Sequence, residues 1–186
     1  MEKENIQWGN PGALGLACFG FTTILLQLHN IGVIDSVLPL VYGFFWGGAA
    51  QILAGIIDGR RGDSFGMTAF ISFGFFWVGL SFAFLLQWLG VVTLDNPGMA
   101  WLCICWGVFT AYMAVGTFKL SIAHAAIFIT LTVLFALLAM HFYGVIPAVV
   151  AGVEGIICGG LAVYTSAAVI LNEKYGRWVL PIGLFD

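Results

Sequence analysis

The chain has 186 residues, of which 61% are hydrophobic and only 8% charged, with a mean hydropathy of +1.05. A soluble domain carries about 25% charged residues, so composition alone excludes an ordinary globular protein. The net charge of −3 comes from loops and termini and gives no reason to expect a nucleic-acid partner.

A membrane span needs ~20 mostly apolar residues to cross ~30 Å of hydrocarbon, and six such runs consume nearly the whole chain. They lie near 13–34, 36–58, 64–90, 97–117, 120–142 and 146–171. Alternation at period two is absent, and backbone groups in lipid must be satisfied within their own segment, so the spans are helices. The expected fold is an all-α membrane protein of one domain over 1–186. Met1-Glu2-Lys3-Glu4-Asn5 lacks the basic region of a secretory signal, so the first span is expected to be retained. All six Lys and Arg fall on one side of this arrangement: Lys3, Arg60, Arg61, Lys119, Lys174 and Arg177. The positive-inside rule then puts both termini in the cytoplasm.

Taken in order, span one opens on Asn10-Pro11-Gly12 and closes its apolar run with Gln27, His29 and Asn30. At ~100° per residue, Phe19, Thr23 and Asn30 share a face, with Gln27 at its edge. One aromatic, one hydroxyl and two amides suit a lane for a polar solute. His29 falls on another side, where it relays protons or bridges helices. Span two holds Gly43, Gly47, Gly55 and Gly59 at intervals of four, with Gln51 in the gap. Such a ridge admits another backbone closely, within the subunit or between subunits. Gln51, an amide in mid-membrane, needs partners or a wet path.

The turn Asp58-Gly59-Arg60-Arg61-Gly62-Asp63-Ser64 is the one strongly polar break, and Ser64 is the expected N-cap of span three. Span three is rich in bulk, with Phe70, Phe73, Phe75, Phe76 and Trp77; one or two of these rings are candidates for an apolar gate that excludes water. Asn96-Pro97-Gly98 opens span four as Asn10-Pro11-Gly12 opens span one, which suggests a 3+3 inverted repeat. Spans five and six carry His124, His141 and Glu154. The histidines lie near opposite ends of span five, where an interfacial position is the default. Glu154 is the only acid well inside a span. A carboxylate there marks a proton relay or ion path, unless it lies near enough to the outer face to stay hydrated.

The four cysteines read as small core residues, and Cys103 and Cys105 point to opposite sides of one helix. No metal site or cofactor is expected. No catalytic motif such as Gly-x-Ser-x-Gly or His-Glu-x-x-His occurs, so the chain is not read as an enzyme.

Asn10-Pro11-Gly12-Ala13-Leu14-Gly15-Leu16 resembles the signature Asn-Pro-Ala-Pro-Leu-Gly-Leu of the acetate uptake transporter family. The likeness continues through Thr22-Thr23-Ile24-Leu25-Leu26, Leu28-His29-Asn30, Gly47-Gly48-Ala49-Ala50-Gln51 and Phe65-Gly66-Met67-Thr68-Ala69-Phe70. It runs on through Leu131–Ala139 to Leu171-Asn172-Glu173 and Val179-Leu180-Pro181-Ile182-Gly183. The resemblance implies a six-helix subunit, assembled as a homohexamer, that moves acetate and in some members succinate through a pore in each subunit. It implies an apolar constriction at Phe19, Phe73 and Leu131, where Phe73 replaces the family's usual Tyr and dries the ring. Gly12 and Ala13 depart from the signature and lower its local rigidity, and Glu154 stands where relatives carry apolar residues. The expected substrate lane is Thr23, Gln27, Asn30 and Gln51, with Glu154 and His29 as candidate proton relay. The expected location is the cytoplasmic membrane of a prokaryote. The rivals are a urea- or amide-type channel, an intramembrane enzyme using Glu154 or His29, and a non-transporting scaffold or sensor.

Overall fold

The computed structural model describes residues 8–185. Among these residues there are six helices long and apolar enough to cross a membrane, and no strand. We number them α1 Gly12–Asn30, α2 Leu38–Arg61, α3 Ser64–Trp88, α4 Asn96–Thr117, α5 Ile122–Phe142 and α6 Ala148–Tyr175.

Local chemistry sets the ends. Asp63, with extended backbone, caps α3 by accepting a hydrogen bond from the Gly66 amide at 2.9 Å. The expected cap, Ser64, is instead the first helical residue, and Asp63 before it supplies the capping oxygen. Asp95 caps α4 through the Gly98 amide at 2.7 Å, and Pro97 occupies the first turn. Ser121 caps α5 through the His124 amide at 3.2 Å. Pro147 is the N-cap residue of α6. The first span stops at Asn30 rather than 34, since Gly32 (φ +76) turns the chain and Val33 N–H closes on the Leu28 carbonyl. The second extends past the expected 58 to Arg61, where Gly62 (φ +84) ends it. In both cases a glycine in left-handed conformation terminates the helix.

Neighbouring helices pack in chain order, α1 on α2, α2 on α3, α4 on α5 and α5 on α6, and α1 returns against α6 to close the ring. The α1–α6 seam is a backbone contact. A Cβ on Gly20 would lie 2.7 Å from the Gly159 carbonyl, and one on Gly159 would lie 2.8 Å from that of Gly20. Small residues permit such approach where dispersion must replace the hydrophobic effect. The α3–α4 junction is closed by rings instead: Phe73 with Trp106 (5.4 Å), Phe73 with Phe109 (5.4 Å) and Phe76 with Trp106 (4.8 Å). A strict 3+3 repeat would make these two seams equivalent, and their packing differs.

The glycine ridge of α2 is used within the subunit. Residues Phe45–Ala50 form a π-helical turn, and the ridge glycine inside it meets a different neighbour from those on either side. Gly43 faces Ser81 and Trp77 of α3, Gly47 faces Thr22 of α1, and Gly55 and Gly59 face Ile71 and Met67 of α3.

The described bases gather at one end of the bundle. Arg61 donates to Asn10 at the start of α1. The tail after α6 returns to the start of α5, where Gly183 and Ile182 carbonyls accept from the Ile122 and Ala123 amides. Asn172 fastens that tail through Val179 and Leu180. Lys119, Lys174 and Arg177 lie beside these same junctions; Lys3 is outside the described residues.

Candidate functional site

Two cavities run through the bundle, and one set of side chains divides them. The first, of about 320 Å³, opens at the end of the bundle that carries the bases and is bordered by Gln51, Asp58, Arg61, Asp63 and His124 among apolar walls. The second, of about 90 Å³, lies toward the opposite end, among Thr23, Gln27, Asn30, Trp77 and apolar residues of α3, α4 and α5. The residues common to both linings are Phe19 of α1, Phe73 of α3 and Leu131 of α5. These three side chains are 6%, 3% and 3% exposed, so each is held in place. Phe19 and Phe73 rings meet at 5.7 Å, and Phe73 is further wedged by Phe109, Trp106 and Phe128. A partition fixed on three helices by aromatic packing offers a crossing solute no hydrogen bond.

Polar groups stand on both sides of it. Gln51, almost fully buried, turns an amide oxygen without a partner in the structure, and its side chain lines the larger cavity. A buried unsatisfied acceptor costs ~1–3 kcal/mol, and only a group that donates, such as a protonated acid, can satisfy it. On the other side, Asn30 donates to the Gln27 amide oxygen at 3.0 Å, and Thr23 donates its hydroxyl proton to the Phe19 carbonyl at 2.8 Å. That last bond leaves the threonine oxygen's lone pairs as its remaining offer.

The mouth of the larger cavity holds a cluster that sequence reading missed. Asp58, expected in an exposed turn, is 3% exposed because α2 continues past it. Its carboxylate occupies space left by Gly66, where any Cβ would collide with it. Arg61 Nη1 stands 3.7 Å from Asp58 Oδ1 and 3.2 Å from Asn10 Oδ1. His124, expected at an interface, lines this cavity, and its Nδ1 lies 2.7 Å from the Ser121 hydroxyl. Arg61 is thus engaged by neighbours, and the cavity's other polar border groups include the carboxyls of Asp58 and Asp63 as well as Gln51 and His124. The polar turn around Asp58 in the sequence concealed its burial.

The signature residues serve the entrance and the seam. Asn10 Oδ1 accepts from the Gly12 amide at 2.9 Å as well as from Arg61, and Asn10 and Gly12 border the cavity mouth. Pro11 is buried, and its carbonyl accepts from Gly15. Gly15 lies against the Phe70 ring with no room for a Cβ, while Leu14 faces outward at 43% exposure. Glu154 and His29 line neither cavity. Glu154 is half-buried on α6, with one carboxylate oxygen buried and unpartnered, and His29 is exposed at the end of α1. Among the described residues no group of His, Cys, Asp or Glu could hold a metal ion.

The model of the GPR1/FUN34/yaaH family matches residues 1–184. The chain belongs to that family. It is similar to the succinate-acetate/proton symporter SatP of Escherichia coli K12, 45% identical over 186 residues that cover 96% of this chain and 97% of SatP. An uncharacterized protein of Methanothermobacter thermautotrophicus is 42% identical over 184 residues, covering 92% of this chain and 90% of its own. Among solved structures, that of the bacterial acetate channel SatP superposes with a TM-score of 0.92 at 43% identity, covering 95% of this chain and all of the other. The family member described here is a multi-pass membrane protein.

Proposed function

We propose that the chain conducts acetate and similar small carboxylates, succinate among them, across the cytoplasmic membrane of a prokaryote, through a pathway within each subunit. The observation that carries this reading is that two cavities with polar groups meet at the same three apolar side chains, Phe19, Phe73 and Leu131. The names of the similar proteins point to the same substrates. Those relatives are transporters or channels, and enzyme activity is no part of the proposal.

A carboxylate entering the larger cavity exchanges water for the Gln51 amide, crosses the partition stripped of hydrogen bonds, and regains polar partners at Thr23, Gln27 and Asn30. Dehydration at an apolar ring sets the barrier, as in hydrophobic gating. It favours small solutes and the uncharged acid, since burying an unpaired charge is costly. No free cation is required along this route, in keeping with Arg61's engagement by Asp58 and Asn10.

The gathering of the described bases at one bundle end supports cytoplasmic termini by the positive-inside rule, and the homohexamer carries over from the family resemblance. A proton relay through Glu154 or His29 ranks below the lane residues because neither borders the two cavities that meet at the partition. The test is uptake of labelled acetate by liposomes carrying the purified protein, with urea as competitor. Saturable uptake that urea leaves unchanged supports the carboxylate reading. Urea uptake inhibited by acetate supports an amide-type channel, and absence of acetate flux supports a scaffold or sensor.

A further inference from the structure

The α3 and α4 backbones scarcely meet, and outward of the rings that bridge them the two helices leave a groove of about 470 Å³. A small residue makes room for it: a Cβ added to Gly79 of α3 would find no atom within 4 Å. The groove runs along α4 from its N-cap, Asp95, to Trp106, about 16 Å at 1.5 Å per residue. One leaflet is half of the ~30 Å of hydrocarbon, about 15 Å. The groove is therefore one leaflet deep, in the half of the bundle away from the described bases. Phe75, which lines it, is 60% exposed, so the medium at its opening is acyl chain. Asp95 is the one charged side chain in the lining. Its Oδ1 accepts from the Gly98 amide at 2.7 Å, which leaves Oδ2 to accept from a cation. Neither Lys nor Arg borders the groove, so an anionic headgroup finds no counter-charge there. Phe76, Leu80, Met99 and Leu102 border both this groove and the smaller cavity. A single layer of side chains thus separates that cavity from the bilayer.

We propose that the α3–α4 groove binds one phosphatidylethanolamine, with an acyl chain lying past Gly79 and the headgroup ammonium paired with Asp95. The acyl chain supplies the packing partner that the thin wall lacks, since a lining with nothing beyond it forfeits its dispersion contacts. The ammonium donates hydrogen bonds to the carboxylate, which a quaternary choline cannot do, and phosphatidylglycerol brings no cation. The site stands independently of the conducting reading.

In the experiment, phosphatidylethanolamine, phosphatidylcholine and phosphatidylglycerol with identical acyl chains are added in equal amounts to the purified chain. Retained lipid is then counted by native mass spectrometry. The wild-type chain should keep one phosphatidylethanolamine per subunit in preference to the other two. Asp95→Asn retains a capping side chain for α4 and removes the charge, so the preference over phosphatidylglycerol should fall about twofold to fivefold, the worth of an exposed ion pair. Gly79→Phe fills the groove and should abolish the preferred retention. In parallel, phosphatidylethanolamine carrying a diazirine at the end of one acyl chain is photolysed in liposomes. Adducts should map to the deep end of the groove, at Phe75 and Trp106, and vanish in Gly79→Phe. Should Gly79→Phe fail to fold, Asp95→Asn and the wild-type adduct map carry the test. Equal retention of the three lipids by the wild-type chain, or a preference that Asp95→Asn leaves unchanged, overturns the proposal. Absence of adducts from the groove, the result expected if a second copy of the chain covers it, overturns it as well.

Discussion

Leu131 is the partition residue whose truncation has the most calculable result. Its side chain is 3% exposed and stands between cavities of about 320 and 90 Å³. Leu131→Ala removes three carbons, worth about 2.4 kcal/mol of transfer free energy at ~0.8 kcal/mol each. Large-to-small core changes cost ~2–5 kcal/mol in all, the upper part coming from the new void. Here the void opens into space that already exists, so the cost should fall near 2–3 kcal/mol at the low end of that range, and the fold should survive. The effect on passage is larger. Discrimination by one methylene in an apolar site is worth ~1–3 kcal/mol, or about 10–200-fold. Removing Leu131 should therefore raise butyrate flux relative to acetate by about tenfold, at the low end of that scale. The assay is parallel uptake of labelled acetate and butyrate in liposomes holding equal amounts of well-folded protein, checked by size-exclusion profile. A flux ratio equal to wild type in a folded Leu131→Ala chain would show that Leu131 is not in the path.

Gln51→Leu removes a buried acceptor that has no partner; unfolding measurements should find stability equal or higher by up to ~1–3 kcal/mol. Acetate uptake should meanwhile weaken several-fold in apparent affinity, and lost stability with normal transport would reverse the assignment. Gly20→Ala forces a Cβ to within 2.7 Å of the Gly159 carbonyl and 2.9 Å of Val163 Cγ2, which should cost ~1–3 kcal/mol as overpacking. Gly160→Ala, with no atom near its Cβ, is the control and should be neutral in a thermal melt.

Helix number and character were legible because each apolar run had to satisfy its own backbone in lipid. The lane face was legible too: Phe19, Thr23 and Asn30 follow from helical periodicity, and with Gln27 they border one cavity. Phe19, Phe73 and Leu131 came from family resemblance, since nothing in their spacing along the chain joins three helices. Three features were hidden for physical reasons. The π-helical turn at Phe45–Ala50 leaves no mark on hydropathy, yet Gly47 within it faces α1 while Gly43, Gly55 and Gly59 on either side face α3. Asp58 reads as part of a surface turn, and only the space beside Gly66 explains its burial. Gly79 looks like one more small residue in an apolar run, and the open groove beside it exists only in three dimensions.

The most direct test asks whether acetate passes the side chain at 131. Leu131→Cys is made in a chain whose exposed Cys105 is replaced by Ser, the other three cysteines being buried. A small methanethiosulfonate reagent is applied to the liposomes, and modification at 131 is verified by mass spectrometry. If Phe19, Phe73 and Leu131 form the partition that a solute crosses, labelled-acetate flux falls close to that of empty liposomes. Full acetate flux through a chain verified as modified at position 131 would mean that the solute travels elsewhere.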